Sequence, residues 1–306
     1  MTGPMNEENS GASDPVLAEL YREPFRIARP KEQTAPFVFA SPHSGRLYPA
    51  DFVARSSLTP LALRRSEDAF ADELFESAVE WGAPLIAARF PRVFVDVNRA
   101  ASELDNAMFD DALQVEVGAP SARVAAGLGV IPRIVRDGVE IYRGRLSRAD
   151  AEERLARLYR PYHAALAGLI GETLARFGVA IVVECHSMPA AASIPNVVLG
   201  DRYGASASPA LMRHAELAFE AYGFSTARNT PYAGGYTTLL YGRREQGVHA
   251  LQIEVNRALY LDETRIERLA RFAATRARLG EALGKFVAVD MNLLIQNPPR
   301  QSLAAE

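Results

Sequence analysis

Apolar runs of strand length recur along the chain and alternate with stretches in which apolar residues return at helical spacing. The strand-length runs cover residues 37–40, 84–88, 93–97, 179–183, 197–199 and 250–255. They are continuous rather than alternating, the pattern of strands buried on both faces. The helical stretches between them carry readable ends. Thr59 and Pro60 open one that is predicted to run to Trp81 and stop at Gly82. Ser147 and Asp150 make a capping-box-like start for a second, which Pro161 should kink or divide and Gly178 should end. A third runs from about Ser208 to Tyr222 before Gly223, and Asp262 can cap a last one through Val287. Residues 131–135 and 139–142 flank Asp137-Gly138 as a predicted hairpin. This alternation predicts an α/β fold with a largely parallel sheet covered on both faces, and ligands at the carboxyl ends of its strands.

The ends of the chain lack this pattern. Residues 1–15, rich in Gly, Ser, Asn and Glu, predict a disordered tail, and 297–306, with Pro298 and Pro299, a loose terminus. The remaining 16–296 could hold two domains by length, but no repeat, low-complexity tract or linker divides them, so a single domain is expected. Charge acts by exclusion. With 34 Lys+Arg against 37 Asp+Glu, a net charge of −3 leaves no footprint for nucleic acid. Nearly all the cations are Arg, which suits bidentate carboxylate contacts. A single cysteine, Cys185, excludes an intramolecular disulfide framework and fits a reducing compartment. No apolar run approaches the ~20 residues of a membrane span. The first residues lack an apolar signal segment, so a cytoplasmic protein without a membrane partner is expected.

The residues after each predicted strand carry the candidate chemistry. Residues 37–40 lead into Ser41-Pro42-His43-Ser44-Gly45, and 93–97 into Asn98-Arg99. Residues 179–183 lead into Glu184-Cys185-His186-Ser187, and the last strand contains Glu254 and leads into Asn256-Arg257. Either histidine alone reads as a hydrogen-bonded, partly buried side chain. Together, on rigid strand ends, they read as a ligand pair for a borderline metal such as Zn²⁺. A catalytic site needs a third ligand, and Arg46 occupies the place of the carboxylate in a His-x-x-Glu turn. Glu67 and Asp68 are the candidates, Asp68 the better placed, although an acidic run of this kind also reads as a solvated helix face with Asp72 and Glu73 outward.

At these residues the chain resembles the N-formylglutamate amidohydrolase family. The likeness lies in Ser41-Pro42-His43-Ser44-Gly45, Glu67-Asp68, Asp96-Val97-Asn98-Arg99, Glu184-Cys185-His186-Ser187, Gly234-Gly235-Tyr236 and His249-Ala250-Leu251-Gln252-Ile253-Glu254. Arg160-Pro161-Tyr162-His163 and Leu259-Tyr260-Leu261-Asp262-Glu263 also resemble family signatures. The resemblance implies a zinc-carboxypeptidase-like (phosphorylase/hydrolase-like) fold, a mixed, mainly parallel sheet between helices. It implies Zn²⁺, or another divalent transition metal, on His43, Asp68 and His186, with Glu67 as the alternate carboxylate. It further implies Asn98-Arg99 as the substrate-binding pair, Glu254 as catalytic base, and hydrolysis of N-formyl-L-glutamate to formate and L-glutamate in histidine degradation. A related metallo-deacylase or carboxypeptidase, or a non-catalytic binding relative, are the alternatives.

A dianionic N-acyl amino acid needs more than one cation, and Arg99, Arg257, Arg133 and Arg143 are available. Arg133 and Arg143 flank the predicted hairpin and also read as plain surface charges. Gly234-Gly235 permits close backbone approach to a ligand or forms a tight turn. His163 is expected in packing beside Tyr162, and no role falls to His214. His249 is a candidate for a contact near the catalytic strand, and Glu184 for orienting His186. Cys185 should point away from His186 as a buried thiol.

Overall fold

The computed structural model describes residues 14–110, 121–135, 138–191 and 193–294. The chain opens with α1 (Pro15–Arg22) and β1 (Phe25–Ala28), then β2 (Phe37–Ser41), α2 (Ala50–Arg55), α3 (Pro60–Arg64), α4 (Ala71–Leu74) and β3 (Leu85–Ala88). After α5 (Ala122–Ala125) come α6 (Arg148–Arg154), α7 (Arg160–Phe177), β4 (Ala180–Met188), β5 (Val197–Gly200) and α8 (Pro209–Glu220). The last third holds β6 (Thr226–Arg228), α9 (Tyr236–Tyr241), β7 (Val248–Asn256), the β8 (Leu261–Asp262) and β9 (Glu267–Arg268) pair, and α10 (Phe272–Val287).

Seven strands form one sheet in the order β1-β3-β2-β4-β7-β5-β6. β3, β2, β4 and β7 run parallel to one another, β1 pairs antiparallel with β3 and β5 with β7, and β6 runs parallel to β5. The sheet is therefore mixed and mainly parallel, with helices on both faces. Side chains alternate across it. Phe37, Phe39, Ile181, Val183, Cys185, Leu251, Ile253 and Val255 join Leu211 and Phe219 of α8 and Leu283 and Phe286 of α10. Val38, Ala40, Ala180, Val182 and Ala250 face Tyr162, Leu166 and Ile170 of α7. Fully burying one such Phe, Leu or Ile side chain contributes about 1.5–3 kcal/mol. The chain leaves β2 for β3 on one side and returns to β4 on the other. The crevice at the carboxyl ends of β2 and β4 is thus a topological switch point.

Several local readings hold. Thr59 caps α3, Ser147 caps α6 through the Asp150 N–H (3.1 Å) and Ser208 caps α8. Gly178 closes α7 in the left-handed conformation. A π turn, Leu155–Tyr159, joins α6 to α7 just ahead of Pro161. That wider turn accommodates a residue with no N–H and a ring that crowds the preceding turn, so the helix continues rather than divides.

Other readings are corrected. Asp14 and Pro15 are not tail: the Asp14 carboxylate accepts the N–H groups of Val16 and Leu17, capping α1, and that of Asp51. The helix expected from Pro60 to Trp81 stops at Arg64; residues 65–70 turn away, Phe70 at φ 64°, before α4 resumes. Residues 93–97 are buried but pair with no strand among the described residues; they form a turn in which Phe94 N–H bonds Pro91 O and Asp96 N–H bonds Val130 O. Asp262 caps a turn at Thr264 and Arg265 instead of a helix, which begins only at Phe272. Strands β1 and β6 were not anticipated. The 131–142 segment is bridged as a hairpin between Ile134 and Glu140, with Asp137 outside the described residues, as is 297–306.

Candidate metal centre and cavity

His43 leaves the end of β2 in a loop seated directly on the chain of residues 89–90. A Cβ on Gly45 would lie 2.1 Å from the Phe90 carbonyl oxygen, so only glycine permits this approach. Asp68 N–H donates to the His43 carbonyl (3.0 Å), which brings the 65–70 turn to the same point. His186 lies within β4, level with Glu254 on β7. Since alternate residues share a face, Glu184, His186, Gln252 and Glu254 form a polar square at the carboxyl end of the α7 face.

The two imidazoles are arranged alike. His43 Nδ1 lies 3.3 Å and His186 Nδ1 2.9 Å from the same oxygen, Asp68 Oδ2. On the far sides of the rings, His43 Nε2 meets Asp96 Oδ1 at 2.8 Å. His186 Nε2 lies 3.3 Å from Asn98 Nδ2 and 3.5 Å from Glu184 Oε2. All three side chains are buried, and His43 Nδ1 makes no hydrogen bond of its own. Among the described residues, His43, Asp68 and His186 form a trio whose donor atoms lie within 4.8 Å of one another. Two imidazole nitrogens and one carboxylate oxygen, each ring held from behind by polar groups, suit a borderline cation such as Zn²⁺. Burial opposes ionisation of Asp68, yet the hydrogen bond of His186 and the charge of His186 and His43 hold its carboxyl well below the usual range.

Glu254 behaves oppositely. Burial pushes its carboxyl up to about 7, with Asp68 adding to the rise and His186 opposing it. Gln252 donates to its Oε1 at 3.3 Å. A carboxyl poised near neutrality at the floor of a cavity can take and return a proton.

The cavity has a volume of about 510 Å³, within the range of small-molecule sites. Of the residues singled out from the sequence, His43, Asp68, Asn98, Arg99, His186, Gly234, Gly235, Glu254 and Arg257 line it. Asn98 accepts the Thr237 N–H (3.0 Å) and packs so tightly on Gly235 that a Cβ there would lie 2.3 Å from its Nδ2. Arg99 donates to the carbonyls of Leu128 (2.9 Å) and Asn98 (2.7 Å). Three residues are not brought to the cavity. Glu67 is bound to Tyr48 (2.7 Å) and Arg64 (3.1 Å), Arg133 to Asp105 (3.1 Å) and Glu140 (2.9 Å), and Arg143 is exposed outside the lining. Arg65, Arg92 and Arg123 line it instead. Arg92 holds Asp96 at 2.9 Å, and the reading of 93–97 as a strand hid that i,i+4 pair.

The remaining histidines are structural. His163 bonds Tyr241 and the Val97 carbonyl, both at 2.9 Å, and so packs behind the Asn98 turn. His214 meets the Lys285 and Phe286 carbonyls at the end of α10. His249 is level with Ile181, five residues below His186, hence roughly 17 Å from the site rather than beside it. Glu184 is on the same face as His186, so it reaches the ring without passing around the strand. Cys185 is buried in the opposite apolar cluster.

Comparison with known proteins bears on this geometry. The family model described as N-formylglutamate amidohydrolase matches residues 35–261. An N-formylglutamate deformylase of Pseudomonas aeruginosa is 31% identical over 271 residues, 84% of this chain and 95% of that one. The crystal structure of an N-formylglutamate amidohydrolase from Ralstonia eutropha is 35% identical with a TM-score of 0.80, covering 86% of this chain and 97% of that one. A gene product of Agrobacterium tumefaciens, 18% identical, shares the fold at a TM-score of 0.63, covering 88% and 96% of the two chains.

Proposed function

The chain belongs to the N-formylglutamate amidohydrolase family, and on that premise we propose that it is a metal-dependent hydrolase releasing formate and L-glutamate from N-formyl-L-glutamate, in histidine degradation. The observation that carries this reading is the convergence of His43 Nδ1 and His186 Nδ1 on one Asp68 oxygen beside Glu254. Zn²⁺ held by His43, Asp68 and His186 would supply Lewis acidity, lowering the pKa of a water toward ~7 and polarising the formyl carbonyl.

The chain's own groups do the rest. Glu254 accepts the proton of the attacking water and returns it to the leaving nitrogen, without which an amide nitrogen departs poorly. Asn98 is fixed by Thr237 and Gly235, and together with Arg99 forms the candidate donor set for the developing oxyanion. Both carboxylates of the substrate face a lining that contains Arg65, Arg92, Arg99 and Arg123, where guanidinium forks match carboxylate geometry. Gly234 and Gly235 also line the cavity, Gly235 giving Asn98 the room it occupies. The catalytic unit is a single domain that takes in Asp14, the cap of α1, at its start.

The test is release of formate and free amine from a panel of N-acyl amino acids by zinc-loaded protein. N-formylglutamate is expected to give both products. A zinc-loaded protein inert on the whole panel would overturn the hydrolase reading.

A further inference from the structure

Arg257 follows β7 directly and is 5% exposed, yet it lines the cavity beside Asp68. An arginine facing a dianion would be expected to point free N–H groups at it. This one is committed elsewhere. Its Nε donates to Ser187 Oγ at 3.0 Å, and Nη2 donates to Asp68 Oδ1 at 3.0 Å and to the Glu67 carbonyl. Nη1 meets Glu263 Oε1 at 3.3 Å, and Glu263 is itself anchored by the Ala190 N–H at 2.8 Å. Ser187 Oγ closes the figure by donating to Asp68 Oδ1 at 3.3 Å.

We propose that Arg257 is a positioning residue for the metal carboxylate and not a cation for the substrate. It holds Oδ1 of Asp68, so that Oδ2 stays turned toward both imidazoles, and Glu263 holds Arg257 from the far side. The torsion of a carboxylate about its last bond is broad and two-fold, so a free Asp68 would sample many orientations. Contacts from Arg257 and Ser187 on one oxygen remove that freedom. Groups that orient ligands in this way typically change metal affinity 10–100-fold when removed. The inference rests on the metal-dependent reading above and adds who prepares the ligand.

The experiment is a Zn²⁺ titration of chelator-treated protein against a chromogenic competitor, with folding checked by circular dichroism. Wild type should bind one Zn²⁺ per chain. Arg257→Gln should weaken that binding about 10–100-fold. Arg257→Lys should lose less, since an ammonium keeps the charge but not the fork. Glu263 does not line the cavity, so Glu263→Gln should weaken Zn²⁺ binding to a smaller degree with KM for N-formylglutamate unchanged at saturating metal. If Arg257→Gln does not fold, the Glu263→Gln result decides. Wild-type Zn²⁺ affinity in Glu263→Gln and in every folded Arg257 variant, with a raised KM in the latter, would overturn the clamp and return Arg257 to the substrate. A wild type that binds no Zn²⁺ would overturn the metal reading and the clamp together.

Discussion

Asp68 has two oxygens with separate tasks, one facing the imidazoles and one facing Arg257 and Ser187. Its neighbour Glu67 has neither, being tied to Tyr48 and Arg64. Asp68→Asn is therefore expected to strip most zinc, as are His43→Ala and His186→Ala, while Glu67→Gln keeps it. Metal analysis of the purified variants checks this, and full zinc in any of the first three would remove that residue from the ligand set. Glu254 supports a second expectation. Glu254→Gln should lower kcat by about 10²–10⁴ with zinc near wild type, since an amide cannot accept the proton. A base works in its deprotonated form, so activity rises with pH through its pKa. That value is about 7 without metal, and a dication close by favours the carboxylate, so the acid limb of kcat/KM should lie below 7 and vanish in the variant.

At the scale of elements, two glycines near the site let neighbouring segments approach closely. The contact beside Gly45 is a backbone carbonyl, which cannot yield cheaply. Gly45→Ala should cost about 1–3 kcal/mol, visible as a lower Tm. At Gly235 the crowded atoms belong to the Asn98 side chain, whose Oδ1 accepts the buried Thr237 N–H. Gly235→Ala should displace Asn98 and lower both kcat/KM and Tm, since the Thr237 N–H then loses its acceptor at a cost of about 1–3 kcal/mol; an unchanged kcat/KM would show that Asn98 has no part in the reaction. The same elements show what could be read from the chain. Residues 37–40 and 179–183 were legible because a strand buried on both faces has no polar positions to confuse it. Residues 93–97 have the same composition, but their backbone bonds go to Pro91 and Val130, and burial alone does not specify pairing. The edge strands β1 and β6 are three or four residues long with none fully buried, too short for a period. The break at residues 65–70 was hidden because a helical pattern cannot register that Asp68 is needed elsewhere. Likewise His43 and His186 stood out as rare residues after apolar runs, whereas Arg257 looked like any other cation until its partners were placed.

Over the whole molecule, a chain of net charge −3 gathers five arginines around a cavity that, among the described residues, carries three carboxylates, Asp68, Asp96 and Glu254. A dianion is drawn to such a place more strongly than a monoanion, and added salt screens the difference. N-formylglutamate should therefore exceed N-formylglutamine and N-formylmethionine in kcat/KM, and its advantage should shrink as ionic strength rises. Initial rates at several salt concentrations measure this. A preference for neutral side chains at every ionic strength would sink the dianion reading while leaving the hydrolytic one intact.

Strand β4 runs through the middle of all this, with Val183 and Cys185 turned to one layer and Glu184 and His186 to the other. A slip of one position along its neighbours would exchange the two sets. It would push a carboxylate and an imidazole into the apolar layer, where an unpaired polar group costs several kcal/mol. The polar side chains of this strand would thus serve during folding as alignment pins: a mispaired central strand is disfavoured by the same residues proposed above for the chemistry.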